Sequence, residues 1–230
     1  MKDQDPQAAQ PASVGSPDPA QLFPFPLDDF QLEAIDALNQ GHSVVVSAPT
    51  GSGKTLVGEY AIYRAIAHGQ KVFYTTPLKA LSNQKLRDFR EQFGADNVGL
   101  MTGDLSVNRE ASIVVMTTEI FRNMLYAEIE DGEDPLEGVE AVVLDECHYM
   151  NDSQRGTVWE ESIIHCPPAI QLVGLSATVA NAGQLTDWIE QVHGPADLIV
   201  SDFRPVPLQF SFCSAKGLHP LLNDKGTGLH

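Results

Sequence analysis

The fold follows from one short segment, Ala48-Pro49-Thr50-Gly51-Ser52-Gly53-Lys54-Thr55. An apolar run at 43–47 precedes it, and a segment of helical character follows. A strand, a glycine-rich turn and a helix in this order are typical of a phosphate-binding loop, because the glycines let consecutive backbone N–H groups face an anion. Lys54 is expected to reach the β- and γ-phosphates, and the Thr55 hydroxyl to ligate Mg²⁺. We therefore predict a site for ATP and Mg²⁺ at 48–55; the alternative is a plain turn with a surface lysine.

The composition is that of a globular protein. Of the 230 residues, 43% are hydrophobic and 20% are charged, which suffices for one large domain or two small ones. The sequence contains no apolar run of about 18 residues and no signal peptide, so we expect no membrane partner. Three scattered cysteines indicate a reducing compartment, and we expect a cytoplasmic location. The net charge of -17 argues against capture of nucleic acid by the whole surface but permits local phosphate contacts.

Short apolar strands alternate with helices through most of the chain. Strands are predicted at 43–47, 71–75, 98–101, 113–116, 141–144, 170–175 and 197–200, and helices at 27–39, 55–68, 78–93, 118–127, 157–164 and 181–192. This alternation predicts an α/β fold, a mostly parallel sheet with helices on both faces, in which ligands bind at the carboxyl ends of the strands.

The two ends of the chain differ from this pattern. The first 21 residues are rich in Pro, Ala, Gln and Asp and lack an apolar period, which indicates disorder. Beyond residue 203, prolines interrupt the pattern and apolar residues alternate as in a half-exposed strand. We expect a disordered tail at 1–21, a folded domain at 22–203 and a connector with the start of a β-hairpin at 204–230. An acidic turn is predicted at 132–135.

A second polar segment, Asp145-Glu146-Cys147-His148, directly follows the predicted strand at 141–144. An acidic residue at a strand end that faces a phosphate loop can hold Mg²⁺ directly or through water, and we assign Asp145 to that role. Glu146 is suited to orient and deprotonate an attacking water. Two acids at a strand end are, taken alone, more often solvated surface. Beside a phosphate loop they become candidate catalytic residues together with Lys54.

Three motifs together resemble a known family. The phosphate loop, Asp145-Glu146-Cys147-His148 and Leu175-Ser176-Ala177-Thr178 occur in the order found in DExH-box helicases. The segments 25–31, 148–150 and 155–161 resemble more particularly the superkiller-like branch, which includes RNA helicases that work with the exosome. The resemblance covers about residues 22–215. It implies a RecA-like P-loop NTPase domain, the first of two in an ATP-driven motor, and relatives commonly begin the phosphate loop with Ala, as Ala48 does here.

The resemblance also implies roles for residues outside these acidic and phosphate-binding segments. Phe30 and Gln31 stand where relatives contact adenine; the alternative is a core phenylalanine and an exposed helical glutamine. Ser176 and Thr178 match the element that couples nucleotide state to nucleic acid through hydrogen bonds to 145–148, and His148 would face the second motor domain. Contacts to the nucleic-acid backbone are implied for Pro77, Lys79, Ala80, Gly103, Asp104, Thr117 and Thr118. For the threonines and their neighbours the alternative is a helix cap or a loop.

The function implied by the resemblance is that of an ATP-dependent 3′–5′ RNA helicase that acts in RNA processing or decay. Implied partners are single-stranded RNA with a 3′ overhang, a second RecA-like domain of the same full-length chain, and the RNA-decay machinery. The family supplies an arginine to the γ-phosphate from a Gln-x-x-Gly-Arg-x-x-Arg segment, which this sequence lacks. We therefore expect a fragment that hydrolyses ATP slowly or not at all by itself. The alternatives are a DNA helicase of the neighbouring repair branch and an ATP-responsive RNA clamp without unwinding.

Overall fold

The computed structural model describes residues 15–127, 134–151, 156–208, 210–215 and 217–221. The strands are β1 (Ser43–Ser47), β2 (Lys71–Thr76), β3 (Val98–Thr102), β4 (Leu105–Val107), β5 (Ile113–Thr117), β6 (Val139–Asp145), β7 (Gln171–Ser176), β8 (Ala196–Val200), β9 (Ser211–Ser214) and β10 (Gly217–Pro220). The helices are α1 (Pro19–Leu22), α2 (Asp29–Asn39), α3 (Thr55–Ala67), α4 (Lys79–Phe93), α5 (Thr118–Leu125), α6 (Gly156–His165) and α7 (Ala182–Val192). Two short 3₁₀ helices lie at Ala95–Asn97 and Cys147–Asn151.

Eight strands form one sheet in the order β4-β3-β5-β2-β6-β7-β1-β8. All neighbours in it are parallel except β4, which is antiparallel to β3. In β1, Val44, Val45 and Val46 are all buried, as expected for a strand covered on both faces. The predicted α/β class with a mostly parallel sheet is thus confirmed.

The helices form one layer on each face of the sheet. Helices α2, α3 and α4 pack on one side in a core that includes Tyr60 and Phe89. Helices α5, α6 and α7 pack on the other in a core that includes Phe121, Trp159 and Ile189. This confirms the prediction of two covered faces.

Parallel register brings the polar motifs to one edge of the sheet. Ser47 at the end of β1 pairs with Ser176 at the end of β7, and Asp145 at the end of β6 pairs with Leu175. The phosphate loop follows β1, so it lies beside the segments that follow β6 and β7. The sheet therefore assembles three distant stretches of sequence into one site.

Two features differ from the sequence predictions. Strand β4 was not predicted, because it is only three residues long and Leu105 and Ser106 are exposed. Helix α1 lies partly within the predicted disordered tail, because Asp18 caps it by accepting a hydrogen bond from the N–H of Ala20 (3.0 Å) and Pro19 suits its first turn. The remainder of that predicted tail, residues 1–14, lies outside the described residues, as do residues 132 and 133 of the acidic turn and residue 155.

The connector continues from β8 into a two-stranded antiparallel hairpin of β9 and β10. Apolar residues of the connector are exposed, among them Phe210, Phe212 and Leu218. Within the described residues no helix is both long and apolar enough to cross a membrane.

Candidate functional site

The phosphate loop and the acidic segment line one cavity of about 420 Å³, a volume within the usual range for small-ligand sites. Gly51 and Gly53 have φ angles of +83° and +85°, a conformation that side chains oppose, so the loop needs glycine at both positions. Helix α3 begins at Thr55, directly after the loop, so the partly positive N-terminal end of its dipole lies next to the loop. The cavity is lined by Thr50, Gly51, Gly53, Lys54, Thr55, Leu81, Gln84, Lys85, Asp145 and Glu146.

Lys54 is the central cation of this cavity. The residue is only 7% exposed. Within the described part of the chain no ion pair or hydrogen bond engages its ammonium group. A buried cation without an anion is costly, so the site favours a negatively charged ligand. Asp145 and Thr55 offer a carboxylate and a hydroxyl at the same cavity, and these are oxygen donors that suit Mg²⁺ when phosphates and water complete its shell.

Asp145 is held by two hydrogen bonds. Its Oδ1 accepts from the N–H of Glu146 (2.9 Å), and its Oδ2 accepts from the hydroxyl of Tyr74 (2.9 Å). Burial and the Asp145 charge raise the pKa of Tyr74 well above its usual value, so the phenol stays protonated and donates. Tyr74 was not predicted from the sequence as a site residue. A lone tyrosine within a buried apolar strand was the available signal, because a buried phenol needs a partner.

Glu146 has a left-handed backbone, with φ of +54°. Non-glycine residues rarely adopt it, and such strain clusters at functional sites. The Glu146 Oε2 lies 3.3 Å from Nδ1 of His148. The same Nδ1 accepts from the N–H of Ala177 (3.4 Å). One nitrogen cannot donate to Glu146 while accepting from Ala177, so the two contacts are alternatives set by the proton on His148.

Of the two predicted coupling residues, Ser176 contacts the acidic segment at Cys147. Ser176 donates to the carbonyl of Ala177 (2.7 Å), and its hydroxyl also lies beside the Cys147 thiol. Thr178 is exposed. The link to His148 comes instead from the backbone N–H of Ala177, a group that side-chain patterns do not reveal.

Gln31 joins helix α2 to the phosphate loop. Its Nε2 donates to the carbonyl of Gly53 (3.0 Å), and its Oε1 accepts from the N–H of Asp28 (2.9 Å). Gln31 is buried, so it is not the exposed helical residue of the alternative interpretation. Phe30 is also buried, within the core beside α3. Contact of either residue with adenine stays a prediction.

Three segments implied in nucleic-acid binding lie at neighbouring strand ends. Pro77 follows β2, Gly103 follows β3, and Thr117 ends β5, which lies between β2 and β3. Thr118 is buried and donates to the carbonyl of Thr76 (3.2 Å), so its hydroxyl ties two strand ends together and does not cap α5.

The start of α4 is open to an anion. Its N-cap residue, Leu78, provides no side-chain hydrogen bond. The N–H groups of Lys79 and Ala80 belong to the first turn, where helices leave such donors unpaired. The Lys79 ammonium forms an ion pair with Asp104.

A further contact that the sequence did not reveal comes from the connector. Arg204 Nη1 donates to the carbonyl of Thr50 (3.4 Å). The N–H of Ser201 also donates to the carbonyl of Ser47 (3.0 Å), which extends the pairing of β8 with β1. The chain therefore passes along the phosphate loop as it leaves the sheet.

Comparison with known proteins gives a consistent result. Residues 28–185 match the model of the DEAD/DEAH box helicase family. The chain is 54% identical over 91% of its length to the chloroplastic DExH-box ATP-dependent RNA helicase DExH15 of Arabidopsis thaliana, of which it covers 18%. It is 48% identical over 90% of its length to the antiviral helicase SKI2 of Saccharomyces cerevisiae, of which it covers 16%.

Solved structures share the fold. The Mycobacterium smegmatis helicase Lhr bound to single-stranded DNA and AMP-PNP aligns with a TM-score of 0.62 at 26% identity, over 79% of this chain and 26% of that one. The DUF1998 helicase MrfA bound to DNA and AMPPNP aligns with a TM-score of 0.64 at 22% identity, over 78% of this chain and 27% of that one. The chain thus spans under a fifth of the two curated relatives named above and about a quarter of these structures.

Proposed function

Because the chain belongs to the DEAD/DEAH box helicase family, we propose that it is the first of two RecA-like motor domains of an ATP-dependent 3′–5′ RNA helicase. The observation that most directly supports this proposal is the cavity that Lys54, Asp145 and Glu146 line together. The RNA assignment draws on DExH15, an RNA helicase that is 54% identical to the chain. In this proposal residues 22–203 form the motor domain, 204–230 the connector to the second one, and 1–21 a tail.

The proposed nucleotide site works by charge compensation and positioning. Backbone N–H groups of the loop and the ammonium of Lys54 bind the phosphates. Asp145 and Thr55 would hold a Mg²⁺ ion, which supplies further charge compensation to the phosphates when it is bound. Tyr74 fixes the orientation of Asp145, and Glu146 takes the proton of the attacking water.

The proposed nucleic-acid track runs along the ends of β2, β5 and β3. Lys79 and the N–H groups that open α4 bind backbone phosphates, and Gly103, Thr117 and their neighbours permit close approach without reading bases. Coupling to the nucleotide site runs through His148, whose Nδ1 contacts either Ala177 or Glu146. The proposed partners are single-stranded RNA with a 3′ overhang, the second motor domain and the RNA-decay machinery.

Nucleotide binding tests the proposal directly. Lys54→Ala should weaken binding of ATP with Mg²⁺ by about 10- to 100-fold, because it removes hydrogen bonds to a charged group. Isothermal titration calorimetry measures this, and Lys71→Ala is the matched control, since that lysine pairs with Glu110 at the opposite end of β2. Equal ATP affinity for the wild type and Lys54→Ala would reject the proposed site.

A DNA helicase is the second candidate, because the Lhr structure, at 26% identity, contains single-stranded DNA. The higher identity to relatives named as RNA helicases favours RNA. Stimulation of ATP hydrolysis by RNA and DNA of equal length in the complete protein distinguishes the two. Stimulation by DNA alone would select the second candidate.

A further inference from the structure

An ion pair on the surface joins two of the segments assigned to the nucleic-acid track. Lys79 is the first residue of α4, after β2, and Asp104 lies in the turn between β3 and β4. Strand β5 separates β2 from β3, so the pair spans strand ends that are not neighbours. The side chains of Lys79 and Asp104 are 52% and 64% exposed, and an incoming strand can reach both.

The Asp104 carboxylate is fixed in place from two sides. Lys79 pairs with its Oδ2, and the Thr102 hydroxyl donates to its Oδ1 (3.0 Å). The hydrogen bonds from Lys79 and then Thr102 lower the pKa of Asp104, so the group is an anion at neutral pH. A fixed anion therefore faces the one lysine that the proposed track offers to a phosphate.

We propose that Asp104 substitutes for a backbone phosphate at Lys79. It holds the ammonium group in place when no strand is bound, and it competes with the phosphate of an arriving strand. This inference rests on the proposed function, because it requires Lys79 to contact the strand. Asp104 is then a positioning residue that weakens the grip of the domain on nucleic acid, which suits a motor that must release each phosphate as it moves.

The competition has a consequence for salt dependence. A phosphate that pairs with a free lysine releases about 0.7 counterion from a single strand. A lysine taken from Asp104 first loses an exposed ion pair that salt also weakens, so this contact depends less on salt than a contact to a free lysine. Without the carboxylate, binding becomes tighter and more sensitive to salt.

Asp104→Asn tests this in the complete protein that contains this domain. The probes are fluorescently labelled oligouridylate and oligothymidylate of equal length, titrated by fluorescence anisotropy over a series of KCl concentrations. We expect the variant to bind both strands about two- to fivefold more tightly at low salt, in line with the weak coupling of exposed ion pairs. The slope of log K against log[KCl] should become steeper, by at most about 0.7.

Two controls separate competition from a general change of charge. Glu137→Gln removes the same charge from an exposed position at the opposite end of the sheet and should change affinity much less. The second control repeats Asp104→Asn in a Lys79→Ala background. There the gain in affinity should fall to the small effect of Glu137→Gln, because no ammonium remains to be released.

Several outcomes would overturn the inference. An equal gain with and without Lys79 means that Asp104 acts only through general repulsion. A loss of RNA affinity with DNA affinity unchanged means that Asp104 accepts a hydrogen bond from the 2′-hydroxyl instead. If Lys79→Ala binds both strands as well as the wild type, or the wild type binds neither, the proposed track itself is wrong, and that failure is distinguishable from failure of the competition alone.

Discussion

Glu146 combines a proposed catalytic carboxylate with a backbone conformation that favours glycine. Its φ of +54° costs a residue with a Cβ about 1 kcal/mol. Two hydrogen bonds hold the conformation: the N–H of Glu146 donates to Asp145, and its carbonyl accepts from the N–H of Tyr149 (3.0 Å). The proposed chemistry requires the carboxylate, which explains why a strained residue other than glycine stands here.

Because the Glu146 backbone is strained, we predict that glycine at this position stabilises the fold. Glu146→Gly should unfold with a free energy about 1 kcal/mol higher than Glu146→Gln, because only glycine relieves the strain. Urea unfolding followed by circular dichroism measures the difference. The matched pair is Glu137→Gly and Glu137→Gln, where φ is ordinary and glycine should be the less stable choice. The same order at both positions would contradict a strained Glu146.

At this scale the sequence predicted residue types better than their partners. Lys54, Asp145 and Glu146 meet at one cavity as expected, because strand-end motifs in a parallel sheet converge. The partners of Tyr74 and Gln31 could not be predicted, because each bonds a group 71 or 22 positions away in the sequence. Such contacts depend on the strand order and helix placement, which local patterns do not specify.

Among the elements, the β3–β4 hairpin depends on an unusually close backbone approach. A Cβ on Gly99 would lie 2.0 Å from the carbonyl oxygen of Asn108, which follows β4 and has φ of +47°. No side chain fits in that space. Glycine at this position lets β4 fold back onto β3, and the turn between them carries Asp104.

Gly99→Ala should therefore lower the free energy of unfolding by about 1–3 kcal/mol through overpacking. Gly103→Ala in the same hairpin is the matched control, because a Cβ there meets nothing within 4 Å, and its stability should be close to that of the wild type. Differential scanning calorimetry compares the two. Equal transition temperatures for both variants would show that the hairpin tolerates a side chain at residue 99.

Elements with a strong apolar signal were predicted to within a few residues. The valines of β1 make a buried strand whatever their neighbours are. Strand β4 was not predicted, because it is stabilised by pairing with β3 and not by apolar character. Helix α1 was not predicted either. Its four residues are ordered by the Asp18 cap and by a hydrogen bond from the Tyr60 hydroxyl to the carbonyl of Pro17 (3.2 Å).

For the whole molecule, two buried thiols and a buried phenol with raised pKa values limit the stability of the folded state at alkaline pH. Burial raises the pKa of Cys147 and of Cys166 from about 9 to about 12, and that of Tyr74 lies well above its usual value. The neutral forms stabilise the folded state. Their contribution is complete below pH 9, the unfolded value of the thiols, and is lost as the pH rises toward 12.

Thermal unfolding between about pH 8 and about pH 11 tests this, since each thiol can lower the free energy of unfolding by up to about 1.4 kcal/mol per pH unit in that window. Cys166→Ala should flatten the decline. Cys213→Ser should leave it unchanged, because Cys213 is exposed. A decline with the same slope in Cys166→Ala would show that this thiol ionises as easily folded as unfolded.

The sheet order also divides the molecule into two halves. Strands β3, β5 and β2 end at the proposed nucleic-acid track, whereas β6, β7 and β1 end at the nucleotide cavity. The border runs between β2 and β6, and the hydrogen bond from Tyr74 to Asp145 crosses it. That bond adds a side-chain contact to the backbone pairing of β2 with β6, and it joins Asp145 to the strand whose next residues lead to Lys79. Tyr74→Phe would remove this side-chain contact and leave the two halves joined by backbone pairing alone.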